Sequence, residues 1–363
     1  MLLLGHGVRR STDPDAVVKF ASRTRIPVVT TMGARGEFPN DDPHYLGMVG
    51  AGGHPSAVAY LADEADLVVL VGTGMSAMTR MPVRGWDAAR IVAVNVDPED
   101  VRSSGLVGSV VAGDAGAVFD QLNGLLDTEP FTHPPLTGHR LTRIRPELGP
   151  PRPDREGEPV ALRTSEAVAI VEDFLPRHGH LLFDAGNCGA AAMHHSFVPP
   201  GCTSTIALGM GGMGYSFGAA VGAQLGSPPG TRTVVFCGDG AFLMSGPEIH
   251  TAVDLGLPVL FVVFNNAMHG MCVTRQQVLF DARVTASEYP PVDVATMASG
   301  LAGPDRLWVG RARTAGELVE VLTEQRRHAH LPGVLELVLP HEEVPPFTSL
   351  LPASVATVSV ARP

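Results

Sequence analysis

Two polar motifs follow two apolar segments of the chain and could together bind a metal ion. Gly238-Asp239-Gly240 comes directly after the apolar residues 233–237, and Asn265-Asn266 closes the apolar residues 257–264. The carboxylate of Asp239 and the amide oxygen of Asn266 are hard ligands, and Mg²⁺ usually takes one or two such ligands from protein and the others from phosphate and water. Either motif alone is typical of a surface turn, so the prediction depends on the pair.

The segments around these motifs predict the elements that would hold them together. Both apolar runs are predicted to be buried strands. Between them, Ser245-Gly-Pro-Glu248 has the pattern of a capping box, which predicts a helix beginning there, and Gly256 is expected at its C-terminal end. A strand–helix–strand unit in one sheet almost always has parallel strands. Asp239 and Asn266 should therefore face one crevice, where open α/β sheets bind ligands.

This arrangement resembles the cofactor-binding signature of thiamine diphosphate-dependent enzymes, in which Gly-Asp-Gly is followed by Asn-Asn. The resemblance implies a Mg²⁺ site formed by Asp239, Asn266 and the backbone oxygen of Met268, with the diphosphate of the cofactor bound beside it. The cofactor-binding residues implied around this site are Gly238, Asp239, Gly240, Ala241, Asn266, Met268, His269, Gly270 and Met271.

Two further segments are similar to the same family. Residues 209–226 resemble the segment whose backbone accepts a hydrogen bond from the 4′-amino group of the cofactor, which implies Gly211 as the acceptor and Met213 as the bulky residue that keeps the cofactor bent. Residues 181–189 resemble its first strand and diphosphate-binding turn, so Gly186, Asn187 and Cys188 would face the phosphates. Residues 209–214 also match the Gly-x-Gly-x-x-Gly dinucleotide pattern, but no acidic residue follows at the spacing that a ribose requires.

The first third of the chain resembles the central domain of acetolactate synthase-type enzymes, which is a Rossmann-like sheet. The matching segments are residues 27–33, 44–48, 65–72 and 91–98. From the residues alone, short apolar runs alternate with helical stretches at 15–22 and 55–63, which favours a parallel α/β unit. In some relatives this domain holds FAD. Here Gly74-Met-Ser-Ala-Met78 replaces the charged Arg-Phe-Asp-Asp-Arg of flavin-binding acetolactate synthases, so FAD is not expected.

The fold class predicted is therefore α/β, with two doubly wound parallel-sheet domains. Residues 1–128 should form the Rossmann-like central domain, and residues 161–345 the thiamine diphosphate-binding fold. Residues 129–160 are rich in proline and charge and lack hydrophobic periodicity, which indicates a linker. Residues 346–363 are expected to be a C-terminal tail.

Composition excludes several classes of partner. A net charge of −11 argues against binding nucleic acid or an anionic membrane. No apolar run approaches the length of a spanning helix, and the opening Met1-Leu-Leu-Leu is too short for a signal sequence, so a cytoplasmic location is expected. The four cysteines, at positions 188, 202, 237 and 272, show no Cys-x-x-Cys spacing, so neither a zinc site nor a disulfide framework is predicted.

One group that the family uses has no counterpart in the sequence. In this family another domain carries a glutamate that hydrogen-bonds the pyrimidine ring of the cofactor and activates it. No carboxylate in residues 1–30 has the context of that glutamate. The resemblance therefore implies a separate pyrimidine-domain subunit, in a hetero-oligomer built on a dimer, with a small 2-oxo acid as substrate.

The activity implied is that of a split carboligase, which decarboxylates a 2-oxo acid and transfers the acyl carbanion equivalent to a second carbonyl. A split decarboxylase without ligation and a non-catalytic structural or regulatory remnant are the alternatives. Residues 268–277 depart from acetolactate synthases, so the substrates stay open. Two catalytic candidates lie there. His269 is either an acid–base group or a solvated loop histidine, and Arg275 pairs either with a substrate carboxylate or with a surface acid.

Overall fold

The chain forms two compact units, Met1–Arg143 and Ile144–Pro363. The computed structural model describes residues 1–80, 86–136 and 161–339. Each unit contains a six-stranded sheet in which all neighbouring strands are parallel, with helices in the connections. The predicted α/β class with two parallel-sheet domains is confirmed.

Six short strands form the sheet of the first unit. They are β1 (Leu2–Leu4), β2 (Val28–Thr30), β3 (Tyr45–Met48), β4 (Val68–Val71), β5 (Ile91–Asn95) and β6 (Ser109–Ala112). The α-helices described between and after them are α1 (Pro14–Thr24), α2 (Pro55–Asp63), α3 (Ala77–Arg80), α4 (Pro98–Arg102) and α5 (Ala115–Leu125). The strand order is β3-β2-β1-β4-β5-β6. Alternate residues of β1 pack into separate cores on the two faces, Leu3 in one and Leu2 and Leu4 in the other, as expected for a sheet buried on both sides.

The strand order of the first unit reverses between β1 and β4, which is where such sheets usually bind a ligand. Here the loops after these strands pack directly on each other. The amide of Gly5 donates to Val71 O at 2.8 Å, and the amide of Gly7 donates to Gly72 O at 2.8 Å. Gly72 has φ +60°, and a side chain on it would lie 2.8 Å from the amide nitrogen of Val8. Main-chain hydrogen bonds therefore join the two strand ends at this place.

The second unit has longer strands. They are β7 (Gly179–Phe183), β8 (Cys202–Ile206), β9 (Arg232–Gly238), β10 (Val259–Asn265), β11 (Trp308–Ala312) and β12 (Gly333–Val338). The helices described in this unit are α6 (Thr164–Glu172), α7 (Asn187–His195), α8 (Tyr215–Leu225), α9 (Asp239–Ser245), α10 (Ile249–Asp254), α11 (Gly270–Leu279), α12 (Val294–Ser299) and α13 (Ala315–Gln325). The order is β11-β12-β10-β9-β7-β8, so it reverses between β7 and β9. Phe217 of α8 stacks on Phe261 of β10 with ring centroids 5.3 Å apart, which fixes a helix over the centre of the sheet.

The helix between β9 and β10 differs from the prediction. The capping box at Ser245 does not form: a helix already begins at Asp239, and the Ser245 side chain makes no capping hydrogen bond. Because Pro247 has no amide hydrogen and its ring clashes with a preceding helical turn, the chain leaves α9 at Ser245 and makes a 3₁₀ turn before α10. Gly256 follows this second helix with φ +61°, as predicted for its C-terminal end.

Most of the predicted linker, from residue 137 to residue 160, and the whole predicted tail lie outside the described residues. The domain boundaries proposed from the sequence therefore stay predictions. Among the described helices, none is both long enough and apolar enough to cross a membrane.

Candidate functional site

A cleft of about 530 Å³ opens at the carboxyl ends of β7, β9 and β10, where the strand order of the second unit reverses. Ligands bind at this place in open α/β sheets because loops diverge there and helices begin there. The lining residues are Thr164, Ala185, Gly186, Asn187, Cys188, Met213, Gly238, Asp239, Gly240, Ala241, Phe264, Asn266, Met268, His269, Gly270, Met271, Cys272 and Leu339.

Asp239 is the charged group of the cleft, and it is only 1% exposed. One carboxylate oxygen accepts from the amide of Gly240 at 2.9 Å, and the other accepts from the amide of Ala267 at 2.7 Å. Burial raises the pKa of Asp239, although hydrogen bonds to the carboxylate act in the opposite direction. Each oxygen retains a lone pair, so the site presents a poorly solvated negative charge that a cation would stabilise.

The turn after β10 carries the other predicted metal ligands. Ala267 has φ +56°, a left-handed conformation that is unfavourable for a residue with a Cβ. Within the turn, the amide of Met268 donates to the side-chain oxygen of Asn266 at 3.3 Å. Since the Ala267 amide also donates to Asp239, the carboxylate after β9 and the turn after β10 are fixed to each other.

The turn after β7 forms the third wall. Gly186 has φ +126°, which favours glycine, and α7 begins immediately after it. Asn187 is 6% exposed and donates through its side-chain nitrogen to Thr274 Oγ1 at 3.1 Å, which ties α7 to α11 across the cleft. The first turns of α7 and α11 both border the cleft. Amides at the start of helices are suited to an anionic ligand such as a diphosphate.

Asp184 is a residue of the site that the sequence analysis did not identify. It is fully buried at the end of β7 and accepts hydrogen bonds from the amides of Ala185 at 2.9 Å, Gly214 at 2.9 Å and Ser216 at 3.0 Å, and from the Ser216 hydroxyl at 2.5 Å. It therefore fixes the start of α8, next to Met213 of the cleft. An acidic residue directly after a buried strand was the sequence signal that could have revealed it.

Tyr289 is a second residue of the site that the sequence analysis did not identify. It lies in the loop between α11 and α12, where its ring contacts the ring of His269 with centroids 5.2 Å apart. Burial, followed by the negative charge of Asp239, raises the pKa of Tyr289. Its sequence neighbours, Glu288 and two prolines, gave no sign of this position.

The structure brings almost all of the predicted cofactor-binding residues to one place. Each of them lines the cleft except Gly211, which is exposed in the loop before α8 with φ +67°. The two catalytic candidates separate. His269 lines the cleft, whereas Arg275 is exposed on α11 and is not among the lining residues. Their catalytic roles stay predictions.

The donor set fits a Mg²⁺-bound diphosphate better than a transition metal. One buried carboxylate, one amide oxygen and a turn carbonyl are oxygen ligands, which Mg²⁺ prefers while keeping phosphate and water in its remaining positions. Across the described ranges, no group of three or more His, Cys, Asp or Glu side chains is placed to hold a metal ion. The absence of a side chain at Gly240 lets His269 lie close to the backbone after β9, since a Cβ at Gly240 would be only 2.7 Å from His269 Nδ1.

Comparison with known proteins gives consistent matches in both units. The family model described as the central domain of thiamine pyrophosphate enzymes matches residues 1–122. The model described as their C-terminal TPP binding domain matches residues 184–336. The second match begins at Asp184 and includes Asp239, Asn266 and Tyr289.

Individual relatives carry two kinds of name. The chain is 27% identical over 289 residues to a probable acetolactate synthase large subunit of Methanocaldococcus jannaschii, covering 78% of this chain and 48% of the relative. It is 29% identical over 350 residues to an acetolactate synthase large subunit of Parasynechococcus marenigrum, covering 94% and 52%. It is 26% identical over 373 residues to a sulfoacetaldehyde acetyltransferase of Castellaniella defragrans, covering 96% and 61%. The chain thus spans about half the length of the acetolactate synthases that it matches.

Proposed function

Since this chain belongs to the thiamine pyrophosphate enzyme family, we propose that it is the diphosphate-binding subunit of a split carboligase of the acetolactate synthase type. The reaction removes CO₂ from a 2-oxo acid and joins the remaining acyl unit to the carbonyl carbon of a second substrate. The observation that carries the proposal is the buried Asp239 carboxylate, fixed to the turn after β10 at the bottom of the cleft.

The cofactor would be held by the three walls of the cleft. Asp239, Asn266 and the backbone oxygen of Met268 would bind Mg²⁺, and the first turns of α7 and α11 would face the diphosphate. Met213 would support the bend between the two rings of the cofactor. When bound, thiamine diphosphate supplies an electron sink for the pair left by the departing CO₂. The protein has to orient that group and exclude water around it.

Apolar side chains give the cleft the means to exclude water. Met213, Phe264, Met268, Met271 and Leu339 line it together with the Asp239 carboxylate. In such surroundings fixed polar groups interact more strongly than they do in water. His269 lines the cleft and would be the group that gives or takes a proton at the carbonyl oxygen of a substrate.

We propose that a separate pyrimidine-domain subunit brings the activating glutamate. No glutamate is found among the described residues that line the cleft. The elements that lead into the cleft also expose large apolar side chains: Leu208 and Met210 precede α8, Tyr215 begins it, and Leu243 and Met244 belong to α9. Met210 is 95% exposed. Exposed apolar side chains grouped beside a cleft suit a protein partner.

Ligation is favoured over decarboxylation alone. The relatives are named a synthase and an acetyltransferase, and both names describe the transfer of a unit to an acceptor. FAD is not part of the proposal, because Gly74-Met-Ser-Ala-Met78 lacks the charged residues of flavin-binding acetolactate synthases. The 2-oxo acid substrate, the hetero-oligomer built on a dimer and the cytoplasmic location stay predictions from the sequence.

Calorimetry on the purified chain tests the partner proposal. Thiamine diphosphate with Mg²⁺ is expected to bind weakly to the chain alone and tightly after a pyrimidine-domain protein from the same organism is added. An absence of binding in both cases would contradict it. Intact mass of the natural gene product decides whether the glutamate belongs to a second chain or to a longer form of this one.

Product analysis tests the reaction. Pyruvate with a second 2-oxo acid or an aldehyde should give a 2-hydroxy ketone or 2-hydroxy-2-alkyl-3-oxo acid, detected by mass spectrometry. Release of CO₂ and free aldehyde alone would support the decarboxylase alternative. A loaded complex that releases no CO₂ would support the non-catalytic one.

A further inference from the structure

Two buried polar atoms lie beside Asp239. They are Nδ1 of His269 and the hydroxyl oxygen of Tyr289. Both lie over Gly240: a Cβ placed there would be 2.7 Å from His269 Nδ1 and 3.5 Å from the Tyr289 hydroxyl. Burying a polar atom is costly unless it is paired, and the Tyr289 hydroxyl is paired with the Asp239 carboxylate.

The backbone on either side of Tyr289 is paired with the metal turn. The amide of His269 donates to Ser287 O at 2.8 Å, and the amide of Tyr289 donates to Ala267 O at 3.1 Å. Met268 and Glu288 face each other as an antiparallel bridge. These two hydrogen bonds enclose Met268, the residue whose carbonyl oxygen is the predicted metal ligand.

Ala267 is held from both ends. Its amide donates to Asp239 and its carbonyl accepts from Tyr289, while its own φ of +56° is unfavourable. A strained residue persists only where its surroundings over-determine it, and such residues cluster at functional sites. The Tyr289 segment is therefore part of what keeps the turn in its left-handed conformation.

We propose that Tyr289 is a positioning residue of the metal site, whose hydroxyl orients the Asp239 carboxylate while its backbone fixes the turn that carries Met268. This rests on the proposed function, since it assigns Tyr289 to the same Mg²⁺-diphosphate site. The Tyr289 hydroxyl is a donor to the acceptor-only Asp239 carboxylate, and the Tyr289 ring packs against His269. One side chain therefore contacts both the carboxylate after β9 and the segment after β10.

The test uses Tyr289→Phe, which removes one oxygen atom and keeps the ring. Mn²⁺ replaces Mg²⁺, and its binding to the natively purified protein with thiamine diphosphate is followed by the electron paramagnetic resonance signal of free Mn²⁺. Loss of a hydrogen bond to a charged group should weaken Mn²⁺ binding about tenfold. The unfolding midpoint, measured by circular dichroism without metal, should stay within a few degrees of the wild type.

Tyr45→Phe is the matched control, because this buried tyrosine of the first unit also loses a hydroxyl, which pairs with Thr30 Oγ1 at 2.9 Å. It should leave Mn²⁺ binding unchanged. Wild-type affinity in Tyr289→Phe would overturn the proposal, and it would do so even if Tyr289→Leu bound Mn²⁺ poorly, since the ring alone would then matter. A wild-type protein that binds no Mn²⁺ would instead overturn the proposed function.

Discussion

Asp184 accepts hydrogen bonds from both the amide and the hydroxyl of Ser216, at 3.0 and 2.5 Å, although 32 residues separate them in sequence. The carboxylate also accepts from the amide of Gly214. It thereby takes the place of a helix-capping side chain for α8, but from a different strand. The start of α8 and the end of β7 are fixed as one piece, and Met213 is held at their junction.

Asp184→Asn should destabilise the second unit by about 2–4 kcal/mol, because an amide nitrogen would face donors that now point at a carboxylate oxygen. Denaturant unfolding measures the loss. Ser216→Ala removes a single donor and should cost only about 1 kcal/mol. Equal losses in the two variants would show that the carboxylate contributes no more than one hydroxyl contact.

Ala267→Gly should stabilise the metal-free protein by about 0.5 kcal/mol. The left-handed conformation costs an ordinary residue about 1–2 kcal/mol, and glycine avoids this cost. The greater conformational freedom of glycine in the unfolded chain offsets part of the resulting stabilisation. Ala267→Val should be destabilising, since a β-branched residue tolerates this conformation less well. Thermal unfolding of the two variants compares them, and a loss of stability in both would contradict the strain at Ala267.

Asp239→Asn should remove the stabilisation that the cofactor gives. At one hundred times its dissociation constant, thiamine diphosphate with Mg²⁺ should add about 2.7 kcal/mol to the unfolding free energy of the assembled wild type. The variant lacks the charged ligand and should show almost none of this in differential scanning calorimetry. Asp254→Asn, at the exposed end of α10, should retain the full effect. Full cofactor stabilisation in Asp239→Asn would remove Asp239 from the metal site.

The cysteines should differ in their rates of alkylation by iodoacetamide at pH 8. Cys272 is exposed and should react first. Cys202 should react slowly because burial raises its pKa to about 11, which leaves little thiolate. Cys188 lines the cleft, so the cofactor with Mg²⁺ should slow its reaction. Peptide mass spectrometry gives the three alkylation rates. If the rate at Cys188 is the same with and without the cofactor, the cofactor binds elsewhere.

The parts of the fold that could be predicted were those with local signals. The strands before Asp239 and Asn266 are rich in apolar residues, and both are found as neighbouring parallel strands. The capping pattern at Ser245 was also a local signal, but the prediction made from it was wrong. A helix starts earlier, at Asp239, and Pro247 interrupts the helical segment. Tertiary structure can outweigh such a pattern, since a cap contributes only about 1 kcal/mol.

The supporting residues of the site could not be predicted in the same way. Asp184 acts on Gly214 and Ser216, which lie 30 and 32 residues away in sequence, and Tyr289 acts on the distant Asp239 and on the turn after β10, so no short spacing rule identifies either residue. The left-handed conformation of Ala267 was equally hidden, because alanine carries no preference for it. Residues that contact a ligand leave motifs in a sequence, whereas residues that hold those motifs in place become visible only when the chain is folded.

The contact between the loops after β1 and β4 limits how the first unit can be redesigned. Gly5, Gly7 and Gly72 meet through main-chain atoms, so exchanging side chains nearby would leave these contacts in place. Arginines added there to attract a nucleotide would bring positive charge but would not separate the two loops. An engineered flavoprotein on this scaffold would have to begin with longer loops, and the hydrogen bonds that now join the two strand ends would be lost in exchange.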